Sequence, residues 1–374
     1  MEKILKILIL GGTGAMGRPL TSILSLSKMN VYVTSRYHHE DEDNIHYIKG
    51  NAHEINFLKE ILKNKYDVII DFMIYQVSEF QERVNLFLNS TNQYIFLSSS
   101  RVYANCDGRI TESSPRLLDI SKDKEYLSTD DYSLTKAREE NLLFDSGKKN
   151  WTIIRPYITY ESNRLQLGIY EKDLWLTRVL QNKTIVVPRS LLNCKTTLTF
   201  GKDVSSRISM VVGNNKFLGE TINITSNQFA TWQQIIDMYS KEIIKLTGKK
   251  PKIIYSDNSE FIATIMKSYY QLKYDRLFNR TFDNSKIEKM TNNNNSYVSL
   301  DKGLRDSIKE CLNKKEFSLN GSWVMRAYMD KVSGERENIR DIHSLYGKIK
   351  YLIVRYTPYL EFMYGQMRNI KGGG

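Results

Sequence analysis

Cysteine and proline are scarce in this chain, and long apolar runs are absent. Its 374 residues include three cysteines and six prolines. The cysteines are widely scattered, without the spacing of a metal site, and we interpret them as reduced thiols of a cytoplasmic protein. The longest apolar stretches, such as 67–74, are too short to span a bilayer. Residues 1–3 lead directly into an apolar run, so no signal peptide is expected. We therefore expect no transmembrane segment and no metal site.

Acidic residues are fewer than basic ones, and the formal net charge is +12. Such a balance raises the possibility of a nucleic-acid partner. The lysines and arginines are spread along the chain, however, and no DNA- or RNA-binding motif accompanies them. We therefore predict a lysine-rich solvated surface and no nucleic-acid partner. A basic surface is also compatible with anionic substrates such as nucleotides.

The N-terminal segment combines an apolar run with regularly spaced glycines. Residues 6–10 predict a strand that is buried on both faces, and a helix is expected from Arg18. Gly11, Gly14 and Gly17 lie between them, in the order of a dinucleotide-binding loop. The alternative is a structural turn without a ligand. The candidate cofactor contacts in this loop are Gly11, Thr13, Gly14, Ala15 and Met16.

Strand and helix patterns alternate over the first 160 residues at βαβ spacing, which predicts a parallel sheet. The fold class is α/β, a Rossmann-type doubly wound parallel sheet with a smaller C-terminal substrate-binding part and a helical C-terminal extension. The predicted strands are 6–10, 30–36, 45–51, 68–72, 93–97, 151–157, 197–204 and 219–224. The predicted domains are a dinucleotide-binding domain (1–160, with segments returning at about 196–245), a substrate-binding part (161–195 and 246–316) and the extension (317–374).

The end of the second predicted strand bears on the cofactor. NAD sites usually carry an acidic residue there, which binds the ribose hydroxyls. This chain has Ser35 and Arg36 instead, and a hydroxyl with a guanidinium suits a 2′-phosphate. We therefore favour NADP(H) over NAD(H). Other candidate cofactor contacts are Asn51 and Ala52, near the adenine, and Phe72 and Met73, over the crevice.

Hydroxyl side chains follow the fifth predicted strand, at 98–100, where the carboxyl end of a buried strand meets a ligand crevice. A helix then begins with Tyr132 and Lys136, which four-residue spacing places on one face. A Tyr-x-x-x-Lys match by itself carries little weight in a chain with 24 tyrosines. The same pattern recurs at 269–273 and 346–350, and only the first match follows a strand and a serine-rich loop.

Taken in order, these motifs resemble the extended short-chain dehydrogenases/reductases of the NAD(P)-dependent epimerase/dehydratase family. The resemblance covers about residues 4–312 and fades beyond about 316. It implies a nucleotide-sugar substrate, with Tyr132 as general acid/base and Lys136 binding the nicotinamide ribose and lowering the tyrosine pKa. The family's catalytic Ser or Thr lies four residues before the tyrosine of a Val-Tyr pair, which selects Ser99. There are departures: Leu10, Asn51 and the missing acidic residue differ from the usual pattern.

Two reaction classes follow from the resemblance. Epimerases and dehydratases usually retain NAD, whereas a net reductase consumes NADPH, and the second strand favours the reductase. Ser100 and Arg101 occupy positions where dehydratases need carboxylates. The leading hypothesis is reduction of a 4-keto-6-deoxy nucleotide sugar, as in the dTDP-4-dehydro-6-deoxyglucose reductases of deoxysugar and surface-polysaccharide synthesis. A nucleotide-sugar 4-epimerase is the first alternative. A non-catalytic family member that binds NAD(P) or RNA is the second alternative.

The rest of the chain is less informative. Candidate substrate contacts are Ser100, Arg101, Tyr160 and Arg164. Residues 317–374 are basic and aromatic, and we expect them to pack on the domain or to pair with a second subunit in a homodimer. Peripheral membrane contact is the alternative for this extension.

Overall fold

A computed structural model describes residues 4–293, 296–315, 317–318 and 322–357. The strands are β1 (Lys6–Leu10), β2 (Asn30–Ser35), β3 (Ile45–Lys49), β4 (Tyr66–Asp71), β5 (Thr91–Leu97), β6 (Trp151–Pro156), β7 (Thr159–Tyr160), β8 (Thr184–Pro188), β9 (Lys195–Thr196), β10 (Thr199–Phe200), β11 (Glu220–Ile224), β12 (Ala230–Thr231) and β13 (Lys252–Ser256). The helices are α1 (Gly17–Leu26), α2 (Ile55–Ile61), α3 (Val77–Asn89), α4 (Leu117–Ile120), α5 (Lys124–Leu127), α6 (Tyr132–Phe144), α7 (Lys172–Leu180), α8 (Gly201–Val211), α9 (Trp232–Thr247), α10 (Ser259–Ile265), α11 (Tyr269–Gln271), α12 (Ser285–Thr291), α13 (Leu300–Lys314), α14 (Trp323–Ser333) and α15 (Leu345–Tyr356).

The chain forms two compact units. Unit 1 contains residues 1–161, 197–229 and 280–300, and unit 2 contains 162–196, 230–279 and 301–374. The boundaries differ from the predicted ones at three places, the first being that the predicted separate extension falls within unit 2. Helix α9 belongs to unit 2 rather than returning to the sheet domain, and residues 280–300 belong to unit 1.

Unit 1 is built on a seven-stranded sheet in the order β11-β6-β5-β4-β1-β2-β3. Every neighbouring pair in it is parallel. From β1 the chain adds β2 and β3 on one side of the sheet. It then returns to the other side of β1, where it adds β4, β5, β6 and β11. This reversal creates a crevice at the carboxyl ends of β1 and β4, where ligands bind in doubly wound sheets. The predicted Rossmann-type fold is confirmed.

Both faces of the sheet are covered, which explains the continuous apolar runs in its strands. In β1, Ile7 and Ile9 join a buried cluster with side chains of α1 and α8 on one face. Leu8 and Leu10 join a second cluster with side chains of α2, α3 and α6 on the other. Alternation along the strand therefore buries every residue after Lys6.

One predicted strand is wrong in part. Within 197–204 only β10 is extended, and α8 begins at Gly201. A Cβ on Gly201 would lie 2.7 Å from Cγ of Glu161 and 2.9 Å from the carbonyl oxygen of Ala15. The glycine therefore permits close packing at the start of the helix, a constraint that the apolar pattern of the segment does not reveal.

Unit 2 contains the pairs β8–β13 and β9–β12, and its C-terminal helices α14 and α15 are joined to it by buried charges. Arg178 of α7 is 2.7 Å from Oδ1 of Asp330 on α14, and both are fully buried. Arg326 is 3.0 Å from Oε1 of Glu337. The helical part of the predicted extension is thus integral to unit 2, while residues 319–321 and 358–374 lie outside the described residues. Among the helices that the structure describes, none combines the length and apolar character needed to cross a bilayer.

Candidate active site

The glycine loop follows β1 directly and is held by β2 and by the segment after β4. Gly11 adopts a φ of +70°, which allows the tight exit from the strand. Its N–H donates to Oγ1 of Thr34 at 3.2 Å, so the end of β2 fixes the start of the loop. A Cβ on Gly11 would lie 2.9 Å from Sδ of Met73, which places this predicted crevice residue beside the loop.

The other two glycines have opposite surroundings. A Cβ on Gly17 would lie 2.3 Å from the carbonyl oxygen of Gly12, so α1 packs too closely against the loop to admit a side chain. A Cβ on Gly14 would meet no heavy atom within 4 Å, and Gly14 and Thr13 are exposed. A side chain at Gly14 would therefore fill only the space above the loop, where a pyrophosphate lies in dinucleotide-binding folds. The loop residues fit a dinucleotide cofactor.

The other predicted loop residues anchor the loop within unit 1. The carbonyl oxygen of Met16 accepts a hydrogen bond from Oγ of Ser205 at 2.7 Å. Sδ of Met16 is 3.6 Å from Oγ1 of Thr159. Ala15, through its carbonyl oxygen, lies against the start of α8. Helix α8 thus supports the loop from behind.

Ser35 and Arg36 differ in their access to a ligand. Ser35 is buried, and its Oγ accepts from the N–H of Tyr37 at 3.1 Å and lies 3.0 Å from Nε2 of His39. Its hydroxyl therefore helps to shape the turn, and direct binding of the cofactor by Ser35 stays a prediction. Arg36 is exposed, and no carboxylate among the described residues forms an ion pair with it. Of the two, Arg36 presents the charge that a phosphate would need.

The adenine-side and crevice residues lie at the ends of β3 and β4. Asn51 accepts the N–H of His53 at 3.1 Å through Oδ1, and Ala52 is buried beneath the neighbouring helix. Phe72 and Met73 are half-buried, and Ile74 beyond them is 62% exposed. An apolar side chain this exposed at the end of a buried strand marks the rim of the crevice.

The serine-rich segment uses its three hydroxyls differently. Oγ of Ser98 donates to Oε1 of Glu140 at 2.6 Å, and Oγ of Ser100 donates to the carbonyl oxygen of Arg155 at 2.8 Å. Both serines are buried, and the Ser100 hydroxyl donates to the backbone of β6 from the turn after β5 rather than being directed to the predicted substrate contact. Oγ of Ser99 accepts from the N–H of Arg101 at 3.2 Å. This hydroxyl keeps its own proton available to donate.

Tyr132 is the first residue of α6, and Asp131 caps the helix by accepting from the N–H of Ser133 at 3.0 Å. The Arg101 guanidinium lies 5.2 Å from the centroid of the Tyr132 ring and 3.6 Å from Oδ1 of Asp131. Arg101 therefore contacts Ser99 through its backbone and Tyr132 through its side chain. This predicted substrate contact lies within the candidate catalytic site itself.

Lys136 follows one turn later and is almost fully buried. Its Nζ lies 2.9 Å from Oε2 of Glu139 and 4.5 Å from the centroid of Phe96 on β5. Burial raises the pKa of Glu139 to about 7, a shift opposed by Lys136 and increased by Asp71. Burial also raises the pKa of Asp71, which accepts hydrogen bonds from Tyr75 and Tyr94. One ammonium thus shares a buried site with two carboxyl groups.

A second buried network fixes α6 to the sheet. Glu140 receives two bonds from Arg155, at 2.7 and 2.6 Å, and one from Arg116 at 3.0 Å. The hydroxyl of Tyr103 accepts from Arg155 and donates to Oδ1 of Asn223. Burial raises the pKa of Tyr103 to about 12, although Arg155 opposes the shift. The helix that carries Tyr132 is therefore held against β6, which in turn is linked through Tyr103 to β11.

Sequence reasoning missed the two carboxyl groups near Lys136. Asp71 is the last residue of a buried strand, and Glu139 lies three residues after the lysine on the same helix. A carboxylate at this helical spacing can contact the lysine, and this spacing was the available signal.

The two remaining substrate candidates, Tyr160 and Arg164, make contacts within their own units. Tyr160 lies in β7, buried 5.6 Å from the ring of Phe200. Arg164 belongs to unit 2, where it is 3.6 Å from Oε1 of Glu171.

Comparison with known proteins gives one curated relative and many structures of similar fold. No protein-family model matches the chain. The Arabidopsis thaliana chloroplast stem-loop binding protein of 41 kDa b is 27% identical over 275 residues, 68% of this chain and 67% of that protein. The enzyme WbmH of Bordetella bronchiseptica, solved with NAD+, matches with a TM-score of 0.64 and 12% identity over 84% of this chain and all of its own.

Two further similar structures are those of enzymes of known activity. The dTDP-glucose 4,6-dehydratase of Bacillus anthracis, with NAD, has a TM-score of 0.61 and 17% identity, covering 83% of this chain and 98% of its own. The UDP-glucuronic acid 4-epimerase of Bacillus cereus, with UDP-glucuronic acid and NAD, has a TM-score of 0.59 and 19% identity, covering 82% and 99%. The chain thus has a doubly wound α/β fold. Within that class, its fold is the one seen in these solved structures of an NAD-bound dehydratase and epimerase.

Proposed function

We propose that the chain is an NAD(P)-dependent enzyme that modifies a nucleotide sugar. The observation that carries this proposal is the contact of Arg101 with both Ser99 and Tyr132, in the same unit as a glycine loop that fits a dinucleotide. Lys136 lies one turn further along the helix that begins with Tyr132. The similar structures of a dTDP-glucose dehydratase and a UDP-glucuronic acid epimerase support the substrate class. We further propose that the reaction is the NADPH-dependent reduction of a 4-keto-6-deoxy nucleotide sugar.

The cofactor, when bound, supplies the hydride for the keto carbon. Ser99 donates a hydrogen bond to the keto oxygen and holds it in place. Tyr132 donates its phenolic proton to the same oxygen as the alcohol forms. The positive charge of Lys136 stabilises the phenolate that remains on Tyr132. Arg101, which lies over the Tyr132 ring, adds a second positive charge to that face.

The preference for NADP(H) is a separate proposal based on Arg36. A guanidinium that is exposed and lacks a carboxylate partner among the described residues can bind a 2′-phosphate with charge-assisted hydrogen bonds. The similar structures named above were solved with NAD. We expect Arg36→Ala to weaken NADPH binding roughly tenfold or more and to leave NADH binding unchanged. Equal binding of both cofactors by the unaltered protein would contradict the preference.

A 4-epimerase remains the alternative reaction, and it shares the same residues. The two reactions differ in cofactor balance. A reductase consumes NADPH in proportion to its product, whereas an epimerase converts a nucleotide sugar with no net oxidation. Incubation with a UDP-hexose, followed by separation of the stereoisomers, would identify the epimerase. Turnover of the keto sugar with loss of NADPH absorbance would identify the reductase.

Stem-loop binding is a second candidate function, favoured by the similarity to a chloroplast stem-loop binding protein. The net charge of +12 is compatible with it. Binding to a labelled RNA stem-loop should be compared with binding to a single strand of the same composition. Preference for the stem-loop that persists in Tyr132→Phe would support a role independent of catalysis. Equal, salt-sensitive binding of both would indicate only the basic surface.

A further inference from the structure

Helix α15 presents an apolar face to solvent. The side chains on this face are between 41 and 74% exposed, and all are aliphatic or aromatic: Leu345, Tyr346, Ile349, Leu352, Ile353 and Tyr356. At 100° per residue they occupy an arc of roughly 120° on one side of the helix. Exposed apolar residues that occur singly are ordinary, but six on one face of one helix form a patch that needs a partner.

The opposite face of α15 fixes the helix to unit 2. Gly347, Tyr351 and Val354 are buried. The hydroxyl of Tyr351 donates to Oδ2 of Asp330 at 2.5 Å and accepts from the N–H of Glu337 at 2.6 Å. The helix is therefore held in one orientation, and its apolar side is directed outward by the buried contacts rather than by chance.

Basic residues border the apolar face on both sides. On the helical projection Lys350 lies beyond one edge, and Lys348 and Arg355 lie beyond the other. Nζ of Lys350 lies 4.1 Å from the ring centroid of Tyr346, and Nε of Arg355 donates to the carbonyl oxygen of Glu335 at 2.9 Å. The helix itself contains no Asp or Glu.

We propose that this face of α15 binds the surface of an anionic membrane. The apolar arc would enter the boundary between headgroups and acyl chains while the flanking cations contact anionic headgroups, as in interfacial amphipathic helices. Tyr346 and Tyr356 suit this boundary because tyrosine has an apolar ring and a polar tip. A second copy is a poorer partner, since a symmetric pairing would place the same cations opposite one another.

The test is co-sedimentation of the full chain with lipid vesicles. Binding to phosphatidylcholine vesicles that contain phosphatidylglycerol should exceed binding to phosphatidylcholine alone by roughly tenfold and should weaken with salt. The double variant Ile349→Glu, Ile353→Glu alters only exposed positions and should lose most of this binding. A control double variant, Leu26→Glu with Ile244→Glu, changes exposed apolar residues on other helices and should bind as the unaltered protein does.

Three results would overturn the proposal. The first is no binding of the unaltered chain to anionic vesicles, and the second is undiminished binding by the α15 variant. The third is an oligomer, measured by light scattering, that the α15 variant converts to a monomer, because a second copy would then cover the face. Circular dichroism of each variant would show that the helix content is retained.

Discussion

Gly14 and Gly17 are three residues apart in the same loop, yet different contacts restrict them. A side chain at Gly17 would overlap the backbone of Gly12, whereas one at Gly14 would meet nothing in the protein. We expect Gly17→Ala to lower the free energy of unfolding by at least about 1–3 kcal/mol, because the backbone of Gly12 must shift to make room for the new Cβ. Gly14→Ala should unfold at the temperature of the unaltered protein but bind the dinucleotide at least about tenfold more weakly.

Thermal unfolding and cofactor titration of the two variants separate these effects. If Gly14→Ala bound NADPH and NADH as well as the unaltered chain, the loop would not be the pyrophosphate site. If Gly17→Ala unfolded at the same temperature as the unaltered protein, then α1 would not approach the loop as closely as described.

Glu139 gives the site a pH dependence of stability. Burial raises its pKa from 4.5 to about 7, so the folded protein keeps a proton that the unfolded chain releases in this window. Stability contributed by this group is therefore present at low pH and is lost as pH rises from about 4.5 to about 7. The glutamine of Glu139→Gln cannot titrate. The free energy of unfolding of this variant should therefore fall less steeply with rising pH, with a slope smaller by up to about 1.4 kcal/mol per pH unit.

Urea unfolding at several pH values measures this slope. Glu60→Gln is a suitable control because Glu60 is exposed on α2, and it should keep the slope of the unaltered protein. An unchanged slope in Glu139→Gln would show that the buried pair with Lys136 does not titrate in this window.

At the level of elements, Glu140 connects α6 to Arg155 of β6 and to Ser98 at the end of β5. Removing one member of a buried ion network leaves uncompensated charge, at a cost of about 3–5 kcal/mol. Glu140→Ala should therefore be strongly destabilised, since Arg155 would remain buried without its carboxylate. Asp119 also pairs with Arg116 but is exposed, so Asp119→Ala should cost less than about 1 kcal/mol. Equal losses in the two variants would contradict this assignment.

Hydrophobic patterning predicted the first six strands well because all of them except the edge strand β3 are mostly buried on both faces of the sheet. It failed at 197–204, where the start of α8 depends on the close approach of Gly201 to Glu161 and Ala15. Motif spacing brought Tyr132 and Lys136 to the correct helix. It could not show that the Ser100 hydroxyl bonds to Arg155, or that Glu139 turns toward Lys136, because both depend on tertiary packing.

For the whole molecule, the two-unit organisation was predicted only in outline. The chain crosses between units several times, and the points of crossing, such as 229–230 and 279–280, lie in segments without a change in composition. Packing of the C-terminal extension on the domain was one of the expectations for residues 317–374, but the contacts that attach α14 and α15 were not predicted. The attachment depends on ion pairs such as Arg178 with Asp330, whose partners are about 150 residues apart.

The central claim, that this fold carries a working reductase site, is tested most directly by NADPH oxidation in the presence of a dTDP-4-keto-6-deoxy sugar. The unaltered protein should consume NADPH and form the corresponding alcohol in equal amounts. Tyr132→Phe, which lacks the phenolic proton, should bind NADPH normally and lose at least about a hundredfold in rate. Absence of turnover by the unaltered protein, or an equal rate in Tyr132→Phe, would contradict the account.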